Sequence, residues 1–266
     1  MIPTQQPDFS TVSPPSISRV DTTDAFPATG AIRPADEVQG MFDAIAPRYD
    51  LLNHVLSAGI DVTWWWRAAR ALRPMLARPE AQIVDLCCGT GDMALALLRH
   101  RPSTPHTAPL LAVDFSHQML SLGAAKFLPY NIIPIEADAL HLPLPSASAD
   151  LISAAFGFRN LVSYEAGLAE LFRVLKPGGQ IAILECNQPT GLVEILYNLY
   201  FRHILPRVGA LLSDRRAYTY LPDSVARFPR SPRMLELIRA AGFTQATWTS
   251  YTFGIAGLYR AVKPGE

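Results

Sequence analysis

Short unbroken apolar runs alternate along most of the chain with longer stretches whose apolar positions recur every three to four residues. QIVDL (82–86), LLAVDF (110–115), IIPIEAD (132–138), DLISAAF (150–156) and QIAILEC (180–186) have the length and branched content of buried strands. Between them, MALALLRH (93–100), SHQMLSLGAAKF (116–127) and EAGLAELFRVL (165–175) carry helical spacing. Ser116 stands where an N-cap is expected, and Lys176-Pro177-Gly178-Gly179 is expected to close the third helix. HLPLPSASA (141–149) reads as a loop. MLELIRAAG (234–242) is a further helix ended by Gly242, and ATWTSYTF (246–253) and IAGLYRAVK (255–263) are two consecutive strands. Strands that lack polar alternation are covered on both faces, and strand–helix alternation makes them parallel. The expected fold is α/β, Rossmann-like, with a seven-stranded mostly parallel sheet, helices on both faces and an antiparallel hairpin at one edge.

Two helices precede this array. Met41, Phe42, Ile45, Tyr49 and Leu52 recur at helical spacing, and TWWWRAARALRPML (63–76) follows. Residues 1–34, rich in Pro, Ser and Thr and without an apolar period, read as a disordered leader. Residues 35–266 form the expected folded domain, with an insertion near 188–230 between the fifth strand and the last helix. Its oiliest part, 192–212, is interrupted by Glu194, Asn198, Arg202, His203 and Arg207 and is not expected to span a bilayer.

Composition narrows the class. The 266 residues carry 23 Lys+Arg against 23 Asp+Glu, so no basic excess points to nucleic acid. Cys87, Cys88 and Cys186 make no disulfide framework and suggest reduced thiols in a cytoplasmic protein. No second Cys/His pair has zinc spacing, so no metal is expected. The first residues show no basic start followed by an apolar core, so no secretory signal is read.

The candidate chemistry gathers at strand ends. Asp85-Leu-Cys-Cys-Gly89-Thr90-Gly91 follows the first strand, where a glycine turn lets a ligand approach the backbone. Ala94, three residues on, satisfies the dinucleotide fingerprint, so the spacing alone leaves NAD open. Asp114 ends the second strand, 23 residues after Gly91, where an acid takes ribose hydroxyls. Asp138 ends the third, where an acid suits an adenine amino group with the Ala139 amide beside it. Ribose and adenine without a pyrophosphate describe S-adenosylmethionine. Asp85 would face the methionine ammonium or cap the turn amides. A plain tight turn, a helix-start acid and a surface acid are the structural alternatives for Gly89/Gly91, Asp114 and Asp138.

Five stretches in order resemble the ubiquinone/menaquinone C-methyltransferase family, a class I S-adenosylmethionine-dependent group, from about Phe42 to Lys263. They are MFDAIAPRYDLLNHVLSAG (41–59), DLCCGTGD (85–92), FGFRN (156–160), RVLKPGGQIAILE (173–185), and the pair AYTYLPDSVARFP (217–229) and AGF…TFGIAGLY (241–259). The resemblance implies C-methylation of a prenylated demethylquinol, most naturally demethylmenaquinol, with a benzoquinol or another small lipid or phenol as the alternative. A non-catalytic adenosylmethionine-binding partner and a nicotinamide dehydrogenase are the readings from other classes. By position it implies cofactor contacts at Thr90, Asp114, Asp138 and Ala139. The chain departs from the family pattern at Asp61 and Val62, Ala155, Asn187 and Tyr259. Arg159 is the candidate for stabilising a phenolate, with Asn160 orienting it, and a salt bridge holding the loop is its other reading. Asp50 is the candidate proton acceptor through water, and Tyr49 lines the site or packs the helix. A polyprenyl tail requires apolar surface, which residues 192–212 and Trp64-Trp65-Trp66 supply. Peripheral contact at the inner face of a membrane, a homodimer contact and buried core are the readings left open for them.

Overall fold

The computed structural model describes residues 59–102, 108–200 and 222–265, together with Gly40, Phe42, Asp43, Ala46, His54 and Ser57. The proposed leader, Tyr49 and Asp50, and residues 201–221 of the insertion lie outside the described residues.

Chain order runs α1 (Ile60–Ala71), α2 (Arg73–Leu76), β1 (Ile83–Leu86), α3 (Asp92–His100), β2 (Leu110–Asp114), α4 (His117–Phe127), β3 (Ile132–Glu136), β4 (Ala149–Ala155), α5 (Tyr164–Val174), β5 (Leu175–Cys186), α6 (Leu192–Leu199), a helical segment at 222–227, α7 (Ser231–Ala240), β6 (Thr244–Tyr251) and β7 (Ala256–Val262). The seven strands form one sheet in the order β3-β2-β1-β4-β5-β7-β6. β1 to β5 are parallel, and β7 runs against both its neighbours. The terminal hairpin therefore makes the edge, with β7 inside and β6 outermost. Chain order reverses between β1 and β4, so a crevice opens at their carboxyl ends.

Each central strand feeds two cores. Ile83 and Leu151 point into a cluster with Trp64, Trp65, Leu72, Leu76, Ala94 and Leu97 of α1, α2 and α3. Their neighbours Val84 and Ile152 point into the opposite cluster with Leu168, Leu171, Met234 and Ile238 of α5 and α7. Burial on both faces explains the unbroken apolar runs.

Local signals place the helices. The Ser116 hydroxyl accepts from the Met119 amide at 3.1 Å and caps α4 as expected. Ser163 does the same for α5 through the Ala166 amide at 3.1 Å. The tryptophan triplet divides: Trp64 and Trp65 are buried, whereas Trp66 is exposed beside His100. The expected stop at Lys176–Gly179 is corrected. β5 already begins at Leu175, and the Gly178 amide and Gly179 carbonyl pair with Lys263. The register shifts between the pairs Ala149–Leu175 and Leu151–Gln180, so these residues form a bulge within the strand, and Gly178 takes the left-handed backbone it needs.

Candidate functional site

A cleft of about 760 Å³, open mouth included, lies at the carboxyl ends of β1 to β4. Its lining includes Gly89, Asp114, Asp138 and Ala139, so four expected cofactor residues from three separate strand ends converge in one place. The rest of the wall is largely apolar, with Phe42, Phe115, Met119, Phe156, Leu161 and Val162.

Asp114 is buried at the tip of β2. Its Oδ2 accepts from the Gly89 amide at 2.8 Å and its Oδ1 from the Ser116 amide at 2.9 Å. The carboxylate thus ties the glycine turn to the start of α4 while facing the cleft. Asp138 is exposed, and its Oδ1 accepts from the Leu140 amide at 2.9 Å, which fixes the turn after β3. Gly91 precedes α3 at φ 92°, and a Cβ there would meet the Phe127 ring at 2.1 Å. Both backbone and packing therefore require glycine at 91. Thr90 is buried, and its hydroxyl accepts from Lys126 Nζ at 3.0 Å, so its side chain braces α4 against the turn.

Two expected residues stand behind the wall. Asp85 is fully buried on the α3 side of the sheet, where Ser153 Oγ donates to its Oδ1 at 2.6 Å. Its Oδ2 makes no hydrogen bond, although the Ala94 amide in the first turn of α3 lies near enough to favour its charge. Arg159 is also buried, in a short 3-10 turn over Phe158–Asn160. Its Nη1 donates to Glu185 Oε2 at 2.9 Å and to the Phe156 carbonyl. The structure thus places the guanidinium in the ion pair that was its second reading. Asn160, next to it, does line the cleft. Asp50 lies outside the described residues.

Burial pushes the Asp85 carboxyl up to about 7, opposed by the Ser153 hydroxyl and the Ala94 amide and reinforced by Asp114 and Asp92. Burial likewise raises Asp114 to about 6, opposed by the amides of Ser116, Gly89 and Phe115 and reinforced by Asp43. Folded, both acids hold protons at pH values where the unfolded chain has lost them. Their contribution to stability is therefore full below about pH 4 and is lost as pH rises through about 6 to 7. Glu170, lowered by its hydrogen bond from Arg173, has the opposite sign, but its window lies below its ordinary value of 4.5. The melting temperature of the cofactor-free protein is thus expected to fall between about pH 5 and pH 8, and Asp85→Asn to flatten that fall. Thermal melts across that range check this, and a rise for the unsubstituted protein contradicts it.

S-adenosylmethionine fits these residues. The left-handed turn at Cys87, Gly89 and Gly91 brings backbone to the cleft, and among the described lining residues there are two carboxylates and no cationic side chain. A sulfonium and an ammonium suit such a field, while a pyrophosphate would meet two like charges. Asp114 would hold the sugar hydroxyls, Asp138 and the Ala139 amide the base, and the turn backbone the amino-acid part.

Three of the departures noted in the sequence, Asp61, Asn187 and Tyr259, have polar partners. Asp61, in the first turn of α1, is buried with its Oδ2 2.6 Å from His54 Nδ1. Asn187 and Tyr259 meet each other: the Tyr259 hydroxyl donates to Asn187 Oδ1 at 2.5 Å, in a buried contact between β7 and the end of β5. Glu185 was missed as a residue of interest. Its signal was a charged position within the apolar run QIAILEC, where an unpaired carboxylate would be costly.

Sheet order, glycine turn and strand-end carboxylates together define a Rossmann-like methyltransferase. The ubiE/COQ5 methyltransferase family matches residues 32–263, and the chain belongs to that family. It is 46% identical over 226 residues to the demethylmenaquinone methyltransferase of Deinococcus radiodurans, covering 84% of this chain and 90% of that one. It is 41% identical to the ubiquinone/menaquinone biosynthesis C-methyltransferase of Syntrophotalea carbinolica, covering 88% and 98%. Among solved structures it resembles a Thermotoga maritima protein described as an S-adenosylmethionine-dependent methyltransferase, with TM-score 0.58, 17% identity, and coverage of 85% of this chain and 99% of that one. It also resembles the [4+2]-cyclase SpnF, with TM-score 0.60, 16% identity, and coverage of 90% and 98%. A cyclase among the likenesses illustrates that this fold alone does not fix a reaction.

Proposed function

We propose that the protein transfers a methyl group from S-adenosylmethionine to a ring carbon of a prenylated demethylquinol, with demethylmenaquinol as the acceptor. The observation that carries this reading is one cleft that joins Asp114 and Asp138 to an apolar wall of Phe115, Phe156, Leu161 and Val162, in a chain 46% identical to a demethylmenaquinone methyltransferase. A benzoquinol acceptor is the second reading, favoured by the relatives whose names include ubiquinone.

When bound, S-adenosylmethionine supplies an electrophilic methyl group on a cationic sulfur. The acceptor carbon becomes nucleophilic when the neighbouring phenol loses its proton. A free phenol has a pKa of about 10, so the site must favour the anion. The apolar wall excludes water and strengthens the attraction between that anion and the sulfonium charge. The ring carbon would gain the methyl group as the sulfur leaves with the bonding pair, and its own proton would pass through water to the phenolate oxygen, restoring the quinol. Asp50 takes a proton through water in this proposal. Asn160 faces the acceptor from the cleft wall. Arg159, its charge already met by Glu185, fixes that wall.

The tail implies contact with a bilayer. No helix among the described residues is long and apolar enough to cross one. On α6, however, Leu192, Ile195 and Leu199 stand at i, i+3 and i+7 and are 81%, 64% and 53% exposed. We assign this stripe to reversible association with the membrane surface.

The test is methyl transfer from labelled S-adenosylmethionine to demethylmenaquinol and to a demethylated benzoquinol, each held in vesicles or supplied with a short tail. Demethylmenaquinol is expected to be the better acceptor. Asp50→Asn should slow turnover with both tails, and serine at 192, 195 and 199 only with vesicle-held substrate. Preferred methylation of the benzoquinol would favour the second reading, and no transfer to either would overturn the proposal.

A further inference from the structure

Glu185 has no role in the cleft chemistry, yet hydrogen bonds enclose its carboxylate beside that cleft. It ends β5 as the penultimate residue and is fully buried. Its Oε1 accepts from the Arg159 amide at 3.1 Å. Its Oε2 accepts from Arg159 Nη1 at 2.9 Å and from the Cys186 amide at 3.0 Å. One carboxylate thus grips both backbone and side chain of a single residue in the turn after β4. Arg159 passes the grip on in two directions. Its Nη1 also donates to the Phe156 carbonyl, and its Nε donates to Ser224 Oγ at 3.3 Å. Ser224 is buried in the helical segment at 222–227, where the 188–230 insertion returns to the sheet. The Tyr164 hydroxyl closes the turn from the other side by donating to the Arg159 carbonyl at 3.0 Å.

The residues so held are those that make the wall. Phe156, Gly157, Asn160 and Leu161 all line the cleft, and Phe156 holds a left-handed backbone at φ 58° that its own side chain does not favour. A buried ion pair adds little net stability over a well-packed apolar pair, because desolvation offsets the attraction. What it does specify is a single arrangement of the groups that satisfy it. Here that arrangement joins three segments distant in sequence: the end of β5, the turn after β4 and the root of the insertion.

We propose that Glu185 is a positioning residue for the acceptor. Through Arg159 it sets the β4 side of the cleft, and through Ser224 it ties the helical segment at 222–227 to that side. The hydrogen bonds that tie Asp114 to the glycine turn and to the start of α4 come from the Gly89 and Ser116 amides, not from this clamp. The consequence for acceptor kinetics rests on the quinol reading above, but the clamp itself does not.

Two variants of the full chain test it. In Glu185→Gln, amides of 156–161 and 222–228 are expected to exchange hydrogen about tenfold faster, with those of β1 and β2 unchanged and S-adenosylmethionine affinity within about twofold. Ser224→Ala removes the hydroxyl that links Arg159 to the segment at 222–227 and leaves the Glu185–Arg159 pair in place. It is expected to raise KM for the acceptor about fivefold at nearly unchanged kcat, the size of one lost hydrogen bond. A purely structural role would lower the amount of active protein and leave KM alone. The proposal is overturned if exchange in both segments is unchanged, or if acceptor KM and cofactor Kd rise together. If Glu185→Gln does not fold, Ser224→Ala decides through its faster exchange at 222–228 and its KM. If the unsubstituted protein methylates no quinol, the acceptor reading fails, while exchange still tests the clamp.

Discussion

Asp114→Asn is expected to weaken S-adenosylmethionine binding about a hundredfold at pH 8 while the fold stays intact. The substitution keeps the size of the side chain but removes the charge and puts an amide where one carboxylate oxygen stood. Hydrogen bonds to a charged group are worth about 1.5–3 kcal/mol each, and a sugar presents two hydroxyls, so a net loss of about 3 kcal/mol gives that factor. Part of the loss is internal. Asp114 Oδ2 also accepts from the Gly89 amide at 2.8 Å, and an amide nitrogen in that place would oppose the turn instead of holding it. Folding should suffer little, because the removed charge sits where burial raises the carboxyl to about 6. The same value gives a second signature. Below about pH 6 the unsubstituted protein binds cofactor only at the cost of ionising Asp114, so the gap between the two proteins narrows toward pH 5. Calorimetric titration at both pH values checks this, and equal affinities at pH 8 would remove Asp114 from the cofactor site.

Asp114 is legible in the sequence because it ends an apolar run at a fixed distance from a glycine turn. Asp85 is less legible, and the reason is physical. A strand covered on both faces loses the polar alternation that reports which way a side chain points. Asp85 shares the α3 side of the sheet with Ser153 on β4, and nothing in IVDL distinguishes that side from the cleft. Arg159 was visible as a charge in FGFRN, but its partner Glu185 lies 26 residues further on, inside another run. Pairing across adjacent strand ends follows from the strand order, which local patterns do not contain. The bulge at Lys176–Gly179 escaped for a related reason. Pro and paired glycines signal a turn locally, and only pairing with Ala149 and Lys263 makes them part of β5. The strands themselves, the cap at Ser116 and the convergence of Asp114 and Asp138 from two strand ends depend on local pattern and connection rules, and these were legible.

The second large effect concerns Gly157, in the turn after β4. Gly157→Ala is expected to abolish cofactor binding and to destabilise the fold by about 3 kcal/mol or more, the scale of severe overpacking. Gly157 has an ordinary backbone, and its constraint is space: an added Cβ would stand 2.2 Å from Cys87 Cβ and 3.2 Å from its sulfur. Neither side can give way easily. Cys87 sits at φ 52° in the turn that carries Gly89, and its neighbour Phe156 at φ 58° has its ring against Trp64 and Trp65, with centroids 5.8 and 6.5 Å apart. The clash thus falls between the ends of β1 and β4, where the chain order reverses and the cleft opens. A specific partner should relieve it. Cys87→Gly removes the colliding Cβ and puts glycine where the backbone is left-handed, which by itself relieves roughly 1 kcal/mol of strain. The double variant is therefore expected to recover most of the stability and measurable cofactor affinity, while Cys87→Gly alone stays near the unsubstituted protein. Denaturant unfolding and cofactor titration of all four proteins form the cycle, and an additive result would mean that the two strand ends do not meet as described.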